Sequence, residues 1–277
     1  MPMQHQRQRI LILCKTYPSP SAKHAETSCV AGMTEHGKLI RLYPVPFRLI
    51  GDESQFKKWQ WITARVVKAR NDHRPESHVI SVDTIVCDAP PLPTSNQWKT
   101  RREWLDKIPI CSDFADVEAQ RQQFGRTLAL LKPSGVLGLD ITPTKNPNWT
   151  EEEISKLTQL QQQGDLFEQA KASDVRLLRK LPFDFHYRYA CDTAAGRVEY
   201  RHKLVDWEIG ALFWNVKRTH GERWAAPFAD KLENRLPQSD LMFLMGTIHR
   251  FPDQWLIISL IYPPKRPPAE PVQGSLF

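Results

Sequence analysis

No apolar run in the 277-residue chain approaches the roughly 18 to 20 residues that a membrane helix needs, so no membrane partner is expected. The apolar stretch near the N-terminus, Ile10 to Leu13, is four residues long, and no small-residue cleavage site follows. A secretory signal needs an apolar core of about 7 to 15 residues, so the chain reads as cytoplasmic. Cysteine is scarce and badly spaced for metal: the five residues at 14, 29, 87, 111 and 191 form no CxxC pair. A structural zinc site built mainly of thiolates is therefore not expected, and a cytosolic chain keeps such residues as thiols. There is no GxxxxGK[ST] loop, GxGxxG, HExxH or GxSxG either. ATP-driven, dinucleotide-dependent, zinc-protease and serine-hydrolase readings thus lose their usual signatures.

What is present is a lopsided charge. Residues 1–75 hold 13 Lys and Arg against 5 Asp and Glu, a net of +8, while residues 76–277 hold 25 against 26. An excess confined to the first quarter of the chain points to a negatively charged partner, most often nucleic acid. In that quarter the cations alternate with aromatics. Arg41, Arg48, Lys57, Lys58, Arg65, Arg70 and Arg74 are candidate phosphate contacts, with Tyr43, Trp59 and Trp61 as candidate stacking faces.

The pattern predicts an α+β chain in three parts. Residues 1–90 read as short strands with a small helix of one or two turns over Glu53–Gln60, a small β-barrel or bent sheet; an oligonucleotide-binding type of barrel would match the charge. The proline-rich break after Asp88 marks the boundary. Residues 91–262 read as a second α+β unit opening on a helical middle segment: one helix from Asn96, and another over 112–132 with Phe114, Val117, Phe124, Leu128 and Leu131 as its core stripe. A third helix is expected from Thr150, which forms a capping box with Glu153. After it come a hairpin turning at Ala194-Ala195-Gly196, a helix capped by Asp206, and two apolar antiparallel strands joined near Phe251-Pro252-Asp253.

Two groupings are candidates for chemistry. Asp72 and Glu76 share a loop with His73 and Arg74, where an acid beside an arginine could move a proton or orient a phosphate. His186, His202, Asp206 and Glu208 cluster in sequence around the hairpin and could gather a divalent ion, with Mg2+ as cofactor if the chain is a nuclease. The Glu199–Lys203 spacing does not fit the Glu-x-Lys pattern of a common nuclease core.

Residues 263–277 form a proline-rich tail ending in Gln273-Gly274-Ser275-Leu276-Phe277. This pentapeptide resembles the bacterial sliding-clamp-binding motif. The resemblance implies that Gln273 makes the polar contact at the pocket rim, Ser275 is the small spacer, and Leu276 and Phe277 fill an apolar pocket on the clamp; Gly274 stands where the motif usually has Leu. It covers five residues and implies nothing about the fold of the rest. Together the signals lead us to expect a bacterial or phage-related cytoplasmic protein recruited to DNA at replication or repair sites, with RNA as an alternative ligand. The other readings are a nucleic-acid-processing enzyme, either a nuclease or a base modifier, and a protein whose basic face binds an acidic protein partner.

Overall fold

The structure, a computed structural model, describes residues 6–20, 26–45, 47, 55–155 and 179–266. It is α+β and mostly strand. The N-terminal unit comprises β1 (Gln6–Lys15), β2 (Ser19–Pro20), β3 (Glu26–Thr34), β4 (Leu39–Val45), β5 (Trp61–Lys68) and β6 (Ser77–Cys87). The strands pair in the order β1-β5-β6-β4-β3, and β3 returns to β1, closing a five-stranded barrel; β4 and β6 run parallel and the other barrel pairs antiparallel. The closure is that of a small Greek-key barrel of the oligonucleotide-binding type. Ile10, Ile12, Val30, Ile40, Leu42, Ile62, Ala64, Val66 and Ile80 point inward and fill it. The expected small helix is not formed over the described residues 55–60. There the chain makes a tight turn with Trp59 at φ 67°, and Trp59 N–H donates to Ile12 O.

After the barrel come α1 (Ser95–Leu105), β7 (Ile110–Cys111) and α2 (Phe114–Phe124), and a second unit is built on one sheet from β7 onward. It continues through β8 (Leu128–Leu131), β9 (Gly135–Pro143), β10 (Phe183–Thr193), β11 (Gly196–Leu204), α3 (Trp207–His220), α4 (Ala225–Asp230), β12 (Met242–Thr247) and β13 (Trp255–Ile261). Its seven strands form one sheet in the order β7-β8-β12-β13-β11-β10-β9. The expected helical middle segment is corrected. The helix expected over 112–132 stops at Phe124, because Gly125 takes a left-handed conformation at φ 68° and ends it. Leu128–Leu131 is instead a central strand buried on both faces, which is why it is a continuous apolar run. The Thr150 capping box is present: Thr150 Oγ1 accepts from Glu153 N–H and Glu153 Oε2 accepts from Thr150 N–H. The rest of that expected helix lies outside the described residues. The β10–β11 and β12–β13 antiparallel pairs form as the pattern predicts. No helix among the described residues is long and apolar enough to cross a membrane.

The sheet carries a core on each face. On one side Phe185, Tyr187, Phe213, Phe228 and Phe243 gather under α3 and α4. On the other, Leu128, Leu130, Met242, Leu244 and Ile258 meet the outer wall of the barrel at Leu11, Leu13, Ala31 and Met33, with Trp59, Trp61 and Trp98 filling the margin. Polar clamps fasten this apolar seam. Asp206 is buried, and its carboxylate accepts from Glu208 N–H, Leu260 N–H and Ser259 Oγ–H at 2.9 Å each. Lys58 reaches across from the barrel, 3.9 Å from Asp206 and donating to Glu208 Oε2 and Leu260 O at 2.8 Å. Near β2, Tyr17 lies so close to Gly210 that a Cβ there would fall 2.1 Å from the ring, so only glycine fits. Replacing Asp206 with alanine removes the helix cap and the buried acceptor of Leu260 N–H and Ser259 Oγ–H, and leaves Lys58 only the half-exposed Glu208 as counter-charge. The expected loss is about 3–5 kcal/mol of unfolding free energy, read by urea denaturation.

Candidate functional site

Barrels of this type bind ligands across their second and third strands, between the loops after the first and fourth. Here the chain's own second sheet fills that groove. Ala31 and Met33 of β3 and Leu39 of β4 pack on Leu128, Leu130, Met242 and Leu244. Arg41, 1% exposed, donates to Thr127 Oγ1 and Thr127 O at 3.1 and 3.0 Å. Tyr17, in the first loop, accepts from Trp214 Nε1.

This changes the assignment of the basic, aromatic residues. Arg41, Arg74, Trp59 and Trp61 are buried in or beside the seam, so none of them can reach a phosphate or a base. Lys58 is held by Glu208 and Leu260. Tyr43, Lys57, Arg65 and Arg70 are exposed, but they do not share one strand or loop. Arg48 and Gln273, Ser275, Leu276 and Phe277 lie outside the described residues.

The candidate chemical groups are also dispersed or occupied. His186 pairs with Lys203 and His202 with Tyr187 across β10 and β11, which puts the two imidazoles on opposite faces of the sheet. Asp206 serves as a buried cap and Glu208 pairs with Lys58, so these four residues do not converge on an ion. Both Asp72 oxygens accept from Arg74. Burial works against the Asp72 charge, but the hydrogen bonds and charge of Arg74 hold this carboxyl well below the usual range. Glu76 accepts from Thr127 N–H and Thr127 Oγ1, which occupies both of its oxygens.

What these clamps do is bring three loops to one end of the molecule. Arg74, in the β5–β6 loop, donates to Thr247 O at 2.7 Å, Thr247 N–H donates to Thr127 O at 3.1 Å, and His249 Nε2 lies 3.0 Å from Asn71 O. Lys68 folds the β5–β6 loop by donating to the carbonyls of Arg74, Pro75 and Ser77. At this end stand Phe124 and Phe251, 58% and 52% exposed, unusual for phenylalanine. Arg126 lies over the Phe124 ring at 5.3 Å, Arg250 adjoins Phe251, and Arg70 and His73 are exposed on the barrel loop. Of the neighbouring acids, Asp72 and Glu118 pair with Arg74 and Arg121, Glu76 accepts from the neutral Thr127, and Asp253 is exposed in the same turn as Arg250, against the exposed Arg70, Arg126 and Arg250. A groove of about 560 Å3 opens beside it, with Lys38, Glu76, His78, Gln120, Phe124 and Arg126 among its lining. Phe124 was hidden in sequence by the expected long helix. Arg250 and Phe251 sat in a turn with no pattern of their own.

Residues 112–277 match the family model described as Domain of unknown function (DUF8757). That is more than half of the chain. The chain belongs to this family. Residues 6–107 match a second model, Domain of unknown function (DUF8758), so α1 falls in the first match and residues 108–111, with β7, lie between the two. No curated protein matches the chain. Among solved structures, a replication protein A heterotrimer bound to ssDNA aligns with 94% of this chain at 10% identity and a TM-score of 0.26. The chain spans 66% of the length of that match. At that score the alignment carries no argument, and the barrel assignment rests on strand pairing alone.

His202 has a structural role with a measurable signature. Burial against Phe114 and Tyr189 pulls its pKa down to about 4, from 6.5. The unfolded chain therefore binds a proton below about pH 6.5 that the folded chain refuses until about pH 4. Stability is expected to fall as pH drops through that window, by at most about 3 kcal/mol from this residue. Urea midpoints of the wild type and His202→Phe at pH 7 and pH 4.5 check this: the variant should lose less on acidification.

Proposed function

We propose that this protein associates with DNA through the end formed by residues 70–73, 124–126 and 249–251, and that its C-terminal peptide recruits it to a bacterial sliding clamp at replication or repair sites. The observation that carries the first half is two exposed phenylalanines with arginines at hand: Phe124 at the end of α2 with Arg126 over its ring, and Phe251 next to Arg250 in the β12–β13 turn, with Arg70 exposed on the β5–β6 loop. Arginines neutralise phosphates while an exposed ring offers a stacking face to a base. The filled groove of the barrel argues for this end over the usual face of the fold. The dispersal of His186, His202, Asp206 and Glu208 favours binding over metal-dependent cleavage at that hairpin.

The second half is supported by the match of Gln273, Ser275, Leu276 and Phe277 to the clamp-binding pattern. The eleven residues after Arg266 are proline-rich and span up to about 35 Å when extended. A linear motif on such a tether adds recruitment without constraining the body.

Fluorescence anisotropy with labelled single-stranded DNA, duplex DNA and RNA over a range of salt tests the interface. Arg126→Glu and Arg250→Glu should each weaken binding and flatten the salt dependence by about one unit of slope. Phe251→Ala should cost about 1–3 kcal/mol on single strands. An unchanged salt slope in both arginine variants would remove this end from consideration. For the tail, full-length protein should bind a bacterial sliding clamp and a chain ending at Val272 should not. Equal binding by both would refute the motif.

A further inference from the structure

At the same end, Asp72, His73 and His249 each place one potential ligand atom within 4.8 Å of the other two. It is the only such group of three His, Cys, Asp or Glu among the described residues. We propose that this trio binds a divalent transition cation of the zinc class and thereby bridges the two units, joining the β5–β6 loop of the barrel to the turn between β12 and β13.

Three features support the assignment. Two imidazoles and one carboxylate form a donor set suited to zinc, iron or nickel, not to magnesium or calcium, which prefer all-oxygen shells. His249 Nε2 lies 3.0 Å from Asn71 O, and a carbonyl only accepts, so Nε2 carries the hydrogen and Nδ1 the lone pair. Fixing a histidine tautomer through a backbone carbonyl is how metal-binding imidazoles are commonly prepared. Asp72 is oriented by Arg74, itself 6% exposed and pinned to Thr247 O; Arg74 gives each carboxylate oxygen two hydrogen bonds, so binding a metal exchanges one of the long ones, 3.1–3.2 Å, for the ion.

The geometry needs a small closure. Ligand atoms about 2.1 Å from a tetrahedral ion stand about 3.4 Å apart, so the trio must tighten by up to about 1.4 Å. Both imidazoles are exposed, with ring centroids 6.1 Å apart; His249 is held at Asn71 O, so the closure falls to rotation of His73 and the loop that carries it. Arg74 opposes a cation by neutralising Asp72, which sets a modest affinity carried chiefly by the imidazoles. Three protein ligands leave a fourth position for water or an exogenous oxygen. The site does not depend on the nucleic-acid reading.

The test uses the full chain dialysed against EDTA and titrated calorimetrically with Zn2+, with Mg2+ as the control and no nucleic acid present. About one equivalent of Zn2+ should bind, with no heat from Mg2+. Zn2+ should raise the melting temperature, since a ligand held only by the folded state stabilises it. His73→Ala, at an exposed position, should keep the wild-type circular dichroism and melting temperature in EDTA yet lose both the binding and the shift; His249→Ala also gives up the contact with Asn71 O, so its melting temperature is compared with and without Zn2+, and it too should show neither binding nor shift. Co2+ should give a visible d–d band in the wild type and not in the variants. The proposal is overturned if Zn2+ does not bind, or if both variants bind it as the wild type does. Neither result bears on the DNA measurements.

Discussion

The whole arrangement hangs on one buried carboxylate. Asp206 starts α3, takes backbone and side-chain hydrogen bonds from β13, and faces Lys58 of the barrel. Burial pushes its carboxyl up, and the nearby ammonium pulls back. Burial likewise disfavours the Lys58 charge, but Asp206 and Glu208 more than offset it and hold that amine above its ordinary range. Replacing such a pair with apolar residues is often neutral for stability, so its stronger effect is on geometry. Apolar contact between barrel and sheet is non-directional and tolerates sliding. A misplaced Lys58 would leave two uncompensated charges in the seam. The Arg41–Thr127–Glu76 cluster imposes the same condition at the other end, so two polar clamps fix an interface that hydrophobicity alone would leave loose.

That constraint explains why the alternation of basic and aromatic residues misled. On a barrel strand, Arg41 alternates with the inward Ile40 and Leu42, which places it on the outer wall, where a solvated phosphate contact is the natural expectation. The outer wall is covered, and Arg41 is spent on Thr127. Trp59 and Trp61 are spent in the same way beside Trp98 and Trp104. The covering did leave a trace in sequence. Ile10 to Cys14, Leu128 to Leu131, Met242 to Met245 and Leu256 to Ile261 are runs with little or no polar alternation, as expected of strands buried on both faces. Which run meets which is set by contacts between residues more than a hundred positions apart, and periodicity cannot encode that.

Local chemistry was far more legible. The hairpin at Gly196, the Thr150 capping box and the Asp206 cap each depend on a few adjacent residues, and each forms as read. The misses are equally physical. Spacing of three and four carried the α2 stripe through to Leu131, because Leu128 and Leu131 fit a helical period as well as a strand. Gly125 decided otherwise, and with it Phe124 moved from an expected core position to an exposed helix end. The basic end is assembled from three turns that only the clamps bring together, so no stretch of sequence contained it.

The same topology separates the two proposed attachments. β12 and β13 are antiparallel neighbours, so the turn bearing Arg250 and Phe251 lies at one end of the sheet and the exit of β13 towards Pro263 at the other. Seven residues of strand put about 24 Å between them. The start of the tail is itself anchored, Arg266 donating to both oxygens of Asp106 at the end of α1. The last described residue of the tail thus lies at the end of the sheet opposite the loops proposed to hold nucleic acid. Had the tail left from the 247–254 end, clamp and nucleic acid would compete for the same face and the tether would gain nothing. With the two at opposite ends, a modest affinity at each is sufficient, because binding at one raises the effective concentration at the other.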